Sequence, residues 1–331
     1  MNLKSHRIFS LALAIAGLLG AASPAATQTE PRRILVTVAE VLAEPLTAVE
    51  LDLRIAKKPA EVTRVYQPQE RPVQLAVLID DSIPNSLPDL PGFLRSLPAG
   101  SEVMLAYVRG GSLQVAQTFT PDLEKAAGRL RAPSGSSFMT PPSLGQTILD
   151  ALAHFPAGGT LRRQILYIGE GRVGQDPYND VPLNRAIASA QTRGIPVWVI
   201  RIRTAGVARL RGYTGSASGE RLGASLLPTQ RAPVRNRETP PRQVPAPSPQ
   251  TPEPTGLALK RLSQETGGEA FALGVLPPTL APYLDELRGL LDRQYLVEFT
   301  PPRDKSGQVV AGKLTVQVRG RKEVGLLYPQ R

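Results

Sequence analysis

The sequence predicts an α/β protein. Its centre is a doubly wound, mostly parallel sheet with helices on both faces, and strands from the N- and C-terminal ends add a small antiparallel β-sandwich. Three observations carry this. Strand-like segments at 74–80, 103–109, 164–168 and 195–202 alternate with helix-like segments, the βαβ pattern of a parallel sheet. Two of them, Gln74 to Asp80 (QLAVLID) and Gln164 to Ile168 (QILYI), are apolar on both faces, as strands covered by helices on two sides must be. Finally, β-type runs lie before residue 72 and after residue 293, and each set alone has too few strands for a core of its own.

The elements follow in order. Arg33 to Ala39 (RILVTVA) is rich in β-branched residues. Ala48 to Ile55 (AVELDLRI) alternates apolar and polar positions. Glu61 to Tyr66 (EVTRVY) follows a turn-like Lys57-Lys58-Pro59 break. Val103 to Arg109 (VMLAYVR) turns at Gly110-Gly111 and returns as Leu113 to Phe119 (LQVAQTF), a hairpin. Asp122 to Leu130 reads as a short amphipathic helix. A second helix, Ser143 to Phe155, carries Leu144, Ile148, Leu149, Ala151 and Leu152. Val181 to Thr192 has Pro182 in its first turn and Gly194 past its end, a matched start and stop. Ile195 to Ile202 is a strand that holds Trp198 in the core.

Beyond it, residues 205–255 lose periodicity. Nine prolines fall between 226 and 255, so this segment reads as an extended or disordered insert within the 72–293 α/β domain. A helix at Gly256 to Thr266, a short strand at Ala270 to Leu273 and a helix at Thr279 to Arg293 come next. In the last of these Tyr283, Leu287, Leu290 and Leu291 face inward. The end is β again: Gln294 to Thr300, Lys313 to Arg319 after an Asp304-Lys305-Ser306-Gly307 turn, and Val324 to Tyr328. Strands of 32–70 and 294–331 are expected to meet in one sandwich.

Composition narrows the chemistry. Lys4 and Arg7, the apolar run Phe9 to Leu19 and the small residues Ala21 to Ala26 read as a signal peptide over 1–26, with an uncleaved anchor as the alternative. The expectation is a secreted or periplasmic protein. There is no Cys, which removes disulfides, thiolate metal sites and Cys nucleophiles. His6 lies in the leader, so imidazole chemistry would fall to His154. The net charge is +11, and residues 201–250 hold nine Arg against two Glu, a net +7. The basic bias therefore belongs mostly to the insert. It reads as a solvated linker, or as a contact to an anionic surface, rather than as a nucleic-acid face.

In an open parallel sheet, ligands bind beyond the carboxyl ends of the strands. Asp80-Asp81-Ser82-Ile83-Pro84 follows the first central strand, Ser134 to Thr140 precedes the helix at 143, and Gly169-Glu170-Gly171 follows the strand at 164–168. Here the sequence resembles the von Willebrand factor type A family. It resembles more closely the exported bacterial branch called VWFA-related Acidobacterial domain proteins. The segments that carry this are LAVLIDDS (75–82), RRQILYIGEG (162–171), DPYNDVPLNRAIASAQTRGIPVWVI (176–200), LSQETGGEAFALG (262–274) and APYLDELRGLLDRQYLVEF (281–299). The resemblance implies a metal-ion-dependent adhesion site, a hard divalent cation such as Mg²⁺ held by oxygen ligands with one position open to a partner. Carried across, Asp80 and Ser82 match the first ligands. Pro84 stands where a hydroxyl is required, Glu170 stands for Asp, and Thr140 competes with Thr147 as the loop threonine. The site is thus degenerate, and no cofactor is expected beyond that ion. Asp81, Pro84, Gly169 and Gly171 complete the expected binding face. The alternative is a structural role for Asp80 to Ser82 as the cap of a following helix.

The implied function is a non-catalytic, exported binding or adhesion-type module with a protein or envelope-polymer partner. A structural component of an envelope assembly, pairing through its terminal strands, is one alternative. A hydrolase using Asp80 or Asp81 with Glu170 is another, with neither a GxSxG elbow nor a phosphate-binding glycine loop to support it.

Overall fold

A computed structural model describes residues 31–83, 87–109, 112–135, 143–170, 180–203, 254–275, 279–321 and 323–330. The described residues all belong to one compact unit. Residues 1–30, expected to hold a signal peptide, most of the 205–255 segment, and Pro84, Gly110, Gly111, Thr140 and Gly171 lie outside the described residues.

The first sheet joins both ends of the chain. Its strands are β1 (Arg32–Val38), β2 (Leu51–Ile55), β3 (Lys58–Tyr66), β10 (Gln294–Thr300), β11 (Leu314–Val318) and β12 (Leu326–Leu327), in the order β11-β2-β3-β10-β1-β12. Every pairing is antiparallel. β3 turns the corner: its first residues pair with β2 and its later ones, from Glu61, pair with β10. The register slips beside Glu298, a bulge of the kind that bends a strand. Ile34 and Val36 of β1, Leu53 of β2, Val297 of β10 and Val316 of β11 then share one core. This antiparallel sheet and its shared core fit the sandwich that the terminal strands were expected to make.

One turn differs from expectation. Ala56 and Lys57 form it, both at positive φ (49° and 67°), and Lys58 and Pro59 already belong to β3 opposite Ile55 and Arg54. Two left-handed residues match the strand twist, so a two-residue loop closes this hairpin. Pro59 is accommodated because β10 pairs only from Glu61 onward, leaving its flank without a strand partner. Ala48 to Glu50 is a turn in which Glu50 accepts from the Thr47 N–H and hydroxyl, so β2 starts at Leu51 rather than Ala48.

The second sheet holds β4 (Val73–Asp80), β5 (Glu102–Arg109), β6 (Ser112–Thr120), β7 (Arg162–Gly169), β8 (Val197–Arg203) and β9 (Ala270–Val275), in the order β6-β5-β4-β7-β8-β9. All neighbours are parallel except β6, which returns antiparallel along β5. All eight residues of β4 are buried. Alternate side chains explain why: Leu75, Val77 and Ile79 pack with α1 (Leu90–Arg95) and α6 (Ala281–Leu291). Ala76 and Leu78 pack with α3 (Leu144–Ala153), α4 (Val181–Arg193) and α5 (Pro254–Thr266). A short α2 (Leu123–Gly128) adds Ala126 to the first of these layers.

Local signals set several helix ends. Asp122, Ser143 and Asp180 each accept an N–H from the third residue on, and Gly194 closes α4 at φ 61°. In α6, Leu284 takes the inward place expected for Tyr283, which is only partly buried. Asp80 and Ser82 do not cap α1, which begins at Leu90 behind Asp89. Asp89 instead accepts from the Thr279 hydroxyl and the Leu280 N–H, tying the start of α1 to that of α6.

The two sheets meet at the N-terminal end of β7. Arg162 is 1% exposed there and donates to the carbonyls of Arg71 (2.7 Å), Leu291 (2.5 Å) and Gln294 (3.2 Å). Beside it Gln164 accepts from the Trp198 indole (2.7 Å) and from Gln294, whose amide also donates to Thr37. β7 is thereby bonded to β10 of the other sheet, and Gln294 carries the link on to Thr37 of β1.

Candidate functional site

β4 and β7 are neighbours, and the chain winds in opposite directions from them: β5 and β6 lie to one side, β8 and β9 to the other. Such a switch point leaves a crevice beyond the strand ends. Asp80 ends β4 and Gly169 ends β7, with Glu170 next, half-buried.

Asp80 is 3% exposed. Its Oδ1 accepts from the Ser82 N–H (3.0 Å) and hydroxyl (2.7 Å), and its Oδ2 lies 3.4 Å from the Tyr167 hydroxyl. Gly169 makes room for it. A β-carbon at 169 would sit 2.4 Å from the Asp80 β-carbon and 2.8 Å from the Tyr167 oxygen, closer than any real contact. Glycine is therefore required here by the approach of a neighbouring carboxylate rather than by its own backbone angles.

Asp81 points elsewhere. It is 0% exposed, and its carboxylate receives Arg131 through both guanidinium nitrogens (2.7 and 3.2 Å) and the Ser134 N–H (2.9 Å). Its carbonyl accepts from the Ser134 hydroxyl and the Gly135 N–H, both at 3.1 Å. Arg109 Nε stands 4.0 Å away. Arg131 also lies over the Tyr107 ring, 3.8 Å from its centre, and its backbone exchanges two hydrogen bonds with the Tyr107 hydroxyl. Burial alone would raise the Asp81 carboxyl, but Arg131 and Ser134 outweigh it and hold it below its ordinary range. Arg131 is held above its own by the bond to Asp81. Expected as part of the binding face, Asp81 is in fact enclosed: it clamps residues 131–135 to the end of β4.

Asp80, Ser82, Gly169 and Glu170 thus come to one end of the sheet, as the sequence suggests, and Asp81 is turned away from them. Sequence reading picked out the loop that starts at Ser134 but missed Arg131 and Tyr107. A doubled carboxylate after a fully apolar strand signals that a cation must be supplied, but not from which of the distant arginines.

Metal chemistry can be tested against these donors. A hard cation takes six or more oxygen ligands. Pro84 has no side-chain oxygen where a hydroxyl is required, and Asp81 is committed to Arg131. Among the described residues no group of three His, Asp or Glu is placed to hold a metal. The described residues do not by themselves complete a cation shell.

No family model matches the sequence, and no curated protein does either. Solved structures do. One is BatB from Bacteroides thetaiotaomicron, at 15% identity and a TM-score of 0.41, covering 66% of this chain and 98% of that one. Another is an aerotolerance-related membrane protein from Bacteroides fragilis NCTC 9343, at 14% and 0.42, with the same coverage. A third is the SpRpn10 VWA domain, at 15% and 0.31, covering 44% of this chain and 84% of that one. Likeness this distant carries no residue role across. By its own strand order the α/β part is a doubly wound domain, and the structures it is similar to include von Willebrand A domains.

Proposed function

We propose that this chain is a non-catalytic, exported binding module that recognises a protein or envelope polymer across the crevice where β4 and β7 end. The observation behind this reading is the close approach of Asp80 to Gly169, with Glu170 next in the chain, at the switch point of the sheet. Binding fits these residues better than catalysis does. A general acid or base must reach a substrate proton, whereas both Asp80 and Asp81 direct their carboxylates to protein donors. The site is a degenerate relative of the metal-dependent adhesion site, with its loops held by Arg131 and Asp81 in place of a cation. A branch of exported von Willebrand A-related proteins is the setting this implies.

Two measurements test the proposal. Calorimetric titration with Mg²⁺, Mn²⁺ and Ca²⁺ is expected to give no saturable heat that depends on Asp80. A signal present in the native chain and lost in Asp80→Ala would contradict the degenerate reading. Capture from envelope extracts is expected to fall at least about tenfold in Glu170→Arg, the effect of losing about 1.4 kcal/mol of contact. Capture indifferent to that change would move recognition away from this face.

A further inference from the structure

We propose a second binding site, for a phosphate group, at the seam between the two sheets, built on Arg64, Arg71 and Tyr66. Arg71 lies two residues before β4, so the site is at the other end of that strand from Asp80, about 26 Å away over eight residues. Tyr66 ends β3 and is buried. Two guanidiniums flank its ring: the Arg64 carbon stands 4.4 Å from the ring centre and the Arg71 carbon 4.2 Å. The two cations are therefore at most the sum of those distances apart. Two forked donors brought this close can share one phosphate-bearing ligand, each through its own N–H groups.

The surroundings favour an anion. Strand register sets Arg33, Glu298 and Arg64 in a row across β1, β10 and β3. Glu298 accepts from Arg33 (2.6 Å) and from the Tyr66 hydroxyl (3.3 Å), so its two oxygens are both engaged. Arg33 and Arg64 thus stand on either side of one carboxylate, and Arg71 is on the same Tyr66 ring as Arg64. The Arg71 Nε is buried and has no hydrogen-bond partner. Stacking uses the flat face of a guanidinium and leaves its N–H edge for an acceptor. A phosphate group brings up to two charges and three acceptor oxygens, which suits this excess better than one carboxylate does.

The test uses the full chain at low salt, with inorganic pyrophosphate in one arm and vesicles of phosphatidylcholine, with or without 30% phosphatidylglycerol, in the other. We expect saturable, single-site pyrophosphate binding by calorimetry, weakened at least tenfold in Arg64→Gln/Arg71→Gln. It should be unchanged when Arg209, Arg211, Arg231 and Arg235 of the insert are replaced by Gln, and unchanged in Glu170→Arg. Arg64 is exposed, so Arg64→Gln alone keeps the fold and is expected to give an intermediate loss. Binding to phosphatidylglycerol vesicles that also depends on Arg64 and Arg71 would identify the source as a lipid headgroup. Pyrophosphate binding without it would identify a soluble or polymeric phosphate. Absence of binding in both arms, or binding that the double variant leaves intact, or loss caused by the insert variant alone, would overturn the proposal.

Discussion

Two consecutive carboxylates leave β4, and strand alternation sends them to different surroundings. Asp80 faces the crevice beside Gly169, whereas Asp81 turns to Arg131. The second pairing makes a pH-dependent prediction. The folded-state pKa of Asp81 is depressed, so its contribution to stability is present above the unfolded carboxylate value of about 3.9. It is lost as pH falls through the folded value below that. Asp81→Asn is expected to cost about 2 kcal/mol at pH 7, since Arg131 is half-exposed and the pair is only partly enclosed. Urea denaturation at pH 7 and pH 3 checks this. The gap between native and variant chains should narrow in acid, and a gap of equal size at both would refute the assignment.

At the scale of elements, Arg162 and its neighbour Gln164 link the two sheets by hydrogen bonds. Arg162 supplies donors to three carbonyls from three segments: the approach to β4, the end of α6 and the start of β10. Burial pushes its pKa down to about 10, still well above neutral, so it remains a cation. Arg162→Met keeps the apolar stem and removes every donor, leaving buried carbonyls unpaired. The expected loss is about 3 kcal/mol in urea denaturation, with faster amide exchange in β1 and β10 than in β5. A loss under about 1 kcal/mol would show that the Arg162 bonds add little to the joint between the sheets. Element types were readable from local pattern because apolar faces and caps are local signals: β4 and β7 are apolar on both sides, and Asp180, Pro182 and Gly194 bracket α4. Element ends were less readable. Lys57-Lys58-Pro59 looks like a break, yet the turn falls one residue earlier because β3 lacks a neighbour on the Pro59 flank, a fact of pairing that no short window contains.

For the whole molecule, the first sheet cannot be divided between the chain ends. β10 lies between β3 and β1, so a chain ending at residue 293 would lose the strand that holds them together. We expect that truncation to bind a hydrophobic dye and to lose near-ultraviolet ellipticity, since Ile34, Val36 and Leu53 would lose Val297 and Val316 as core partners. A truncated chain with a native near-ultraviolet spectrum would mean that the leading strands fold alone. The sequence by itself determined the alternation of strands and helices, the fully covered strands at the centre, and the residues that end β4 and β7, because each depends on near neighbours along the chain. Only the tertiary structure decided that Asp81 is enclosed by Arg131, that Arg162 bonds one sheet to the other, and that Arg64 and Arg71 flank Tyr66. Those pairings join residues far apart in the chain, and a charge in a sequence carries no mark of which distant charge will meet it once the sheets have packed.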